Sequence, residues 1–203
     1  DTHSPSVPSR FSPWKELREG LQYVWNTPHL QAAMWIALLV NFTAFPLSIG
    51  LLPYVAREIF GTDQTGLGYL MASFAIGSLV GSIILGMVGN KVRPARAMIF
   101  FAIVWHAFLA MFVWVDQLFL GMILLGLAGL AHNLSLVPLV GLLMRTSDPA
   151  FWGRVMGVRM LAIYTLPISL MVAGWLIDSI NFHRTMSLYM VIGIVLTLVI
   201  AVR

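Results

Sequence analysis

Six apolar stretches without a charged side chain run through the sequence, at residues 30–56, 64–90, 97–115, 117–144, 160–177 and 185–202. An α-helix needs about 20 apolar residues to cross the hydrocarbon core of a bilayer, and each stretch is near that length or longer. The stretches are continuously apolar, not alternating, so they suit helices that satisfy their own backbone rather than barrel strands. The sequence therefore predicts an all-α integral membrane protein. Composition fits: 59% of residues are hydrophobic and 10% charged, where a soluble domain is about 25% charged. There is no cysteine, which excludes disulfides and thiolate metal sites.

The basic residues alternate with the loops. Arg10, Lys15 and Arg18 precede span one; Lys91, Arg93 and Arg96 follow span two; Arg145, Arg154 and Arg159 follow span four; Arg203 ends the chain. The other three loops hold only Arg57 and Arg184. This bias orients both termini to the cytoplasm. It accounts for the net charge of +4 as a topology signal, not a nucleic-acid surface. The sequence starts at Asp1, not Met, which points to a fragment or a processed product, and DTHSPSVPSR reads as a polar linker without the apolar core of a signal peptide.

The expected organisation is a linker over 1–12, an amphipathic helix over 13–26 and a six-helix domain over 28–203. Its spans fall near 29–57, 65–89, 95–115, 117–144, 152–178 and 185–202. Ser12 can cap the amphipathic helix and Pro13 suits its first turn. Trp14, Leu17, Leu21, Val24 and Trp25 recur at helical spacing among Lys15, Glu16, Arg18, Glu19 and Gln22. That pattern fits a helix lying in the cytoplasmic interface; a solvated linker helix is the plainer alternative. Span two carries small residues at four-residue spacing, Ser73, Gly77 and Gly81, with Ser78, Ser82 and Gly86 as a second row. Such rows let helices approach closely, within the bundle or against another domain. Span three, with Phe100, Phe101, Trp105, Phe108 and Phe112, and aliphatic span six are expected on the lipid-facing periphery.

Spans one and four share a pattern: Asn41 precedes Pro46 by five residues, and Asn133 precedes Pro138 by five. The chain thus reads as two three-helix units, the second inverted in the membrane, which is a transporter architecture.

The loop after span two, Gly86-Met-Val-Gly89-Asn90-Lys91-Val-Arg93-Pro-Ala-Arg96, resembles the cytoplasmic motif of the major facilitator superfamily, with Asn90 and Lys91 where that motif often has Asp and Arg. The stretches from Leu51 to Glu58 and from Gly66 to Leu70, Gly153-Arg154-Val155-Met156-Gly157, and the leading Trp14 to Leu21 are similar to the branch containing the enterobactin exporter and macrolide efflux proteins. The resemblance implies the C-terminal six helices of a twelve-helix transporter in the bacterial inner membrane. Its partners would be the other six-helix half, or a second copy of the chain, with a small-molecule substrate and the bilayer. No cofactor is implied.

The resemblance also implies that the first helix of each unit lines a central cavity. That selects Asn41, Phe42, Thr43 and Phe45 of span one with His132, Asn133 and Ser135 of span four. Tyr164, Thr165 and Ser169 flank Pro167 in span five and either reach the cavity or satisfy backbone groups freed by that proline. Polar groups among aromatics suit an amphipathic organic substrate; hydrogen bonding within the bundle is the alternative. No Asp, Glu, Lys or Arg is expected deep in a span, which leaves His106 and His132 as the intramembrane titratable groups. His106, in span three, reads as a neutral side chain packed between helices. The expected activity is efflux of hydrophobic or siderophore-like molecules by an antiporter working through alternating access, with any proton coupling largely in the other half. A half-size protein that self-associates and a non-transporting sensor or scaffold are the alternatives. No metalloprotease or serine-hydrolase motif and no carboxylate pair is present, so an enzyme is not expected.

Overall fold

The computed structural model describes residues 13–88 and 93–202. The linker over 1–12 with Ser12, and Gly89, Asn90 and Lys91 of the motif loop, lie outside the described residues. The fold is all-α. An amphipathic helix, Pro13–Trp25, leads into six helices long and apolar enough to cross a membrane: Pro28–Ile59, Gln64–Val88, Pro94–Phe112, Leu118–Thr146, Pro149–Ile180 and Phe182–Val202. Spans one and four, which carry the Asn-Pro pairs, are the most enclosed, with 61% and 50% of their most apolar stretches buried. Spans two and five are the least, at 11% and 17%.

Proline shapes span one. Pro46 has no N–H to give to the carbonyl of Phe42, and the helix widens into π turns at Pro46–Gly50 and Val55–Ile59. The freed carbonyl is taken by the Ser169 hydroxyl of span five, and the Ser169 carbonyl accepts from Tyr189 Oη of span six at 3.0 Å. The Phe42 and Tyr189 rings stack at 5.9 Å. One missing backbone donor thus becomes a tie among three spans, the re-satisfaction that a proline in a membrane helix requires.

The small-residue row of span two meets span four inside the bundle. Gly77 and Gly81 are buried, and a Cβ placed on Gly77 would lie 1.8 Å from the Gly126 carbonyl oxygen. A Cβ on Gly129 would lie 2.1 Å from that of Phe74. Ser73 is half-buried and donates to the Tyr69 carbonyl. Ser82 and Gly86, of the second row, are exposed.

Two expectations are corrected. Span three is not peripheral: Met98, Ala102, Trp105, His106 and Leu109 are buried, because the span packs between spans four and six. Its aromatics form core, which hydropathy alone does not distinguish from lipid contact. Arg154 and Arg159 are not loop residues either. The helix resumes at Trp152, so Arg159 sits about 10 Å along it at 1.5 Å per residue.

The amphipathic helix is fastened to the start of span five. Glu19 pairs with Arg154 at 3.3 Å, Tyr23 stacks on Phe151 at 4.4 Å, and Tyr23 Oη accepts from the Asp148 N–H at 3.1 Å. Gly20 is buried where a Cβ would lie 3.0 Å from the Arg154 carbonyl oxygen.

Asp63 caps span two, its Oδ1 accepting from the N–H groups of Thr65 and Gly66 at 3.0 and 3.2 Å. Chiefly the Gly66 bond holds its carboxyl below the usual carboxylate range. A depressed folded-state value contributes stability above the unfolded carboxylate range that is lost as pH falls through the folded value. Asp63→Ala is therefore expected to lower the thermal midpoint at about pH 7, with a deficit that shrinks as the pH falls below the usual carboxylate range of about 4. A deficit that persists unchanged in acid would show that the cap's charge contributes nothing.

Candidate functional site

At mid-span, four helices contribute side chains to one polar and aromatic cluster. His132 of span four is ringed by Trp105, Phe74 and Phe45, with centroids at 4.8, 5.2 and 5.3 Å. Its Nδ1 lies 3.3 Å from Ser78 Oγ of span two, and that hydroxyl donates to the Gly129 carbonyl at 3.0 Å. The Ser78 proton is therefore engaged, so the arrangement suits an Nδ1–H tautomer donating to Ser78. Trp105 Nε1 donates to Ser48 Oγ at 3.2 Å, and Ser48 donates to the Ala44 carbonyl.

His106 lies beyond Trp105, fully buried. Its Nδ1 is 2.8 Å from the Ala102 carbonyl, which fixes the proton on Nδ1, and its Nε2 is 2.7 Å from Thr43 Oγ1. Thr43 also reaches the Leu39 carbonyl at 2.7 Å, so one hydroxyl proton serves two acceptors. Gly193 of span six supplies the space: a Cβ there would fall 2.2 Å from the His106 ring.

The remaining candidates are spread more widely. Asn41 is buried and donates to the Ala37 carbonyl at 2.8 Å. Ser135 is buried and donates to the Met98 carbonyl at 2.9 Å. Asn133 faces Gly81, and its Oδ1 is buried without a hydrogen-bond partner among the described residues. Tyr164 is exposed at the break in span five, and Thr165 donates to the Ala162 carbonyl. Of the motif loop, Gly86, Arg93 and Arg96 are exposed. The structure thus joins Thr43, Phe45 and His132 through Trp105 and His106, and leaves Tyr164 and Thr165 apart. Ser48, Ser78 and Trp105 were missed. Mid-span serines were the available signal, since a hydroxyl in hydrocarbon requires a partner.

No three His, Asp or Glu side chains gather among the described residues as a metal site would require. The cluster can order helices and offer hydrogen bonds amid aromatic faces; its hydroxyl–imidazole contacts, Ser78–His132 and Thr43–His106, are ties between helices, with the Ser78 proton given to the Gly129 carbonyl.

The six spans pack as one helical bundle of membrane-crossing length. The structure resembles a crystallised variant of the E. coli fucose:proton symporter FucP with a TM-score of 0.71 at 16% identity, covering 98% of this chain and 49% of that one. The sequence profile of the Major Facilitator Superfamily matches residues 34–203, and the chain belongs to that family, one of transporters and not enzymes. It is 26% identical over 169 residues to the multidrug efflux pump Tap of Mycolicibacterium fortuitum, covering 82% of this chain and 41% of the pump. It is 28% identical over 190 residues to Tap of Mycobacterium tuberculosis (strain ATCC 25618 / H37Rv), covering 92% and 44%. The chain thus spans less than half the length of the curated relatives it matches.

Proposed function

We propose that this chain acts as the C-terminal six-helix half of a secondary transporter that exports hydrophobic or siderophore-like small molecules by alternating access, coupled to protons. The observation that carries the reading is the match of nearly the whole chain to less than half of the efflux pump Tap. Spans two and five have the least buried faces, and on this reading the second six-helix unit packs there. That unit comes from further residues of the same polypeptide; a second copy of this chain is the runner-up. Asn133, whose amide oxygen has no partner among the described residues, and the contacting pair Phe45 and His132 are the residues we assign to the cavity wall. The amphipathic helix lies in the cytoplasmic interface, with Trp14 and Trp25 exposed to it, and both termini face the cytoplasm of a bacterial inner membrane.

The test is ethidium retention in cells making the polypeptide that contains this chain. Lower retention, restored by a protonophore, is the expected outcome. Efflux by residues 1–203 alone would establish the self-associating reading. Retention equal to that of control cells would leave a sensor or scaffold.

A further inference from the structure

The amphipathic helix Pro13–Trp25 sorts its charges as it docks. Gly20 and Val24 are buried, Leu17 and Tyr23 pack on the core, and Glu19 turns inward to Arg154. Glu16, one turn before Gly20, is half-buried. The residues left exposed are Trp14, Lys15, Arg18, Leu21, Gln22 and Trp25, with two cations and no carboxylate among them. We propose that this outer face binds the phosphate of anionic phospholipid headgroups through Arg18 and Lys15. Such binding rests on the interfacial placement of the helix given above and is independent of transport.

Spacing, position and chemistry support the assignment. Trp14, Arg18, Leu21 and Trp25 follow one another at steps of four, three and four residues, so they share one stripe about 16 Å long at 1.5 Å per residue. The stripe ends three residues before Pro28, where span one begins, and Trp25 meets the exposed Trp35 of that span with ring centroids 6.5 Å apart. It therefore continues the surface of a membrane-crossing helix, at the depth where tryptophan rings sit among headgroups. In that zone the anion a cation meets is a phosphate, and a guanidinium suits it because two parallel N–H groups meet two oxygens. Arg18 has no ion pair or hydrogen bond among the described residues, so its donors are open to such a partner. A carboxylate on the stripe would cancel the attraction, and docking removes the nearest one by turning Glu19 onto Arg154 at 3.3 Å. An acidic soluble protein would match the cations but not the tryptophan at each end, which suits a boundary between apolar and wet surroundings.

The test is tryptophan quenching in the whole polypeptide containing this chain, reconstituted in phosphatidylcholine vesicles. A fixed share of the lipid is brominated high on its acyl chains and is either phosphatidylglycerol or phosphatidylcholine. Emission from Trp14 and Trp25 is isolated by subtracting that of the Trp14→Phe/Trp25→Phe variant. Phosphatidylglycerol is expected to hold the face about fivefold more strongly or better, the factor that one basic residue gains near an anionic surface. Lys15→Gln/Arg18→Gln is expected to abolish that preference and to keep the quenching by phosphatidylcholine, which reports that the helix is still docked. Arg57→Gln removes a charge at the far end of span one and should behave like the parent. Equal quenching by the two lipids, a preference that survives in the double variant, or its loss in Arg57→Gln would overturn the lipid contact and leave the helix in the interface. Absence of quenching by either lipid would overturn the interfacial placement as well, because protein would then cover the face.

Discussion

Gly77→Ala will cost this protein more stability than its single methyl suggests, while Gly86→Ala in the same helix will cost nothing. The Cβ of an alanine at 77 would sit 1.8 Å from the Gly126 carbonyl oxygen, a backbone atom that no rotamer change can move. Spans two and four would have to separate by more than an ångström. Separation would also pull Ser78 from the Gly129 carbonyl and loosen Phe74 from His132. Overpacking ordinarily costs about 1–3 kcal/mol, and a rigid backbone obstacle with a hydrogen bond at stake places this substitution at the upper end. Gly86 meets nothing within 4 Å, so alanine there gains up to about 1 kcal/mol of helix propensity. Thermal unfolding in one detergent, read by loss of soluble monodisperse protein, checks the pair. Similar midpoints for the two variants would mean that the close approach of spans two and four is not what holds them together.

Hydropathy made the six spans legible because lipid penalises each polar interruption severely, and the Asn-Pro pairs marked the two spans that became most enclosed. Their consequences were not legible. Nothing near Pro46 announces that the carbonyl it frees is met by a hydroxyl 127 residues away, at Ser169. Span three misled for a related reason. Phe100 is exposed while Trp105 and Phe112 are buried, yet all three are equally acceptable to lipid and to a protein core. The inward face is the one that meets spans four and six, where Gly193 leaves room for His106 and Ser135 reaches the Met98 carbonyl. Candidate residues chosen for polarity pointed to mid-span, where most of them are engaged in hydrogen bonds within the bundle.

Gly193→Ala will break the junction of spans one, three and six, and His106→Ala will partly repair it. A Cβ on Gly193 would fall 2.2 Å from both Cδ2 and Nε2 of His106 and 2.9 Å from Thr43 Oγ1. The imidazole cannot stay. Rotating away breaks the contact with Thr43 and the bond to the Ala102 carbonyl, and the ring has no open side, since it is fully buried. Leaving a buried polar group unsatisfied costs about 1–3 kcal/mol, in addition to the strain of overpacking. His106→Ala alone removes the ring and leaves a void, and truncation of large buried side chains costs about 2–5 kcal/mol. In the double variant the methyl added at position 193 enters the space the ring vacated, so the two losses will not add. Contacting residues show couplings of about 0.5–3 kcal/mol, and here the sign is favourable and the value should lie in the upper half of that range. Four thermal midpoints, for the parent, both single variants and the double variant, measure it. Strict additivity would mean that span six does not press on His106, and that the histidine ties only spans one and three.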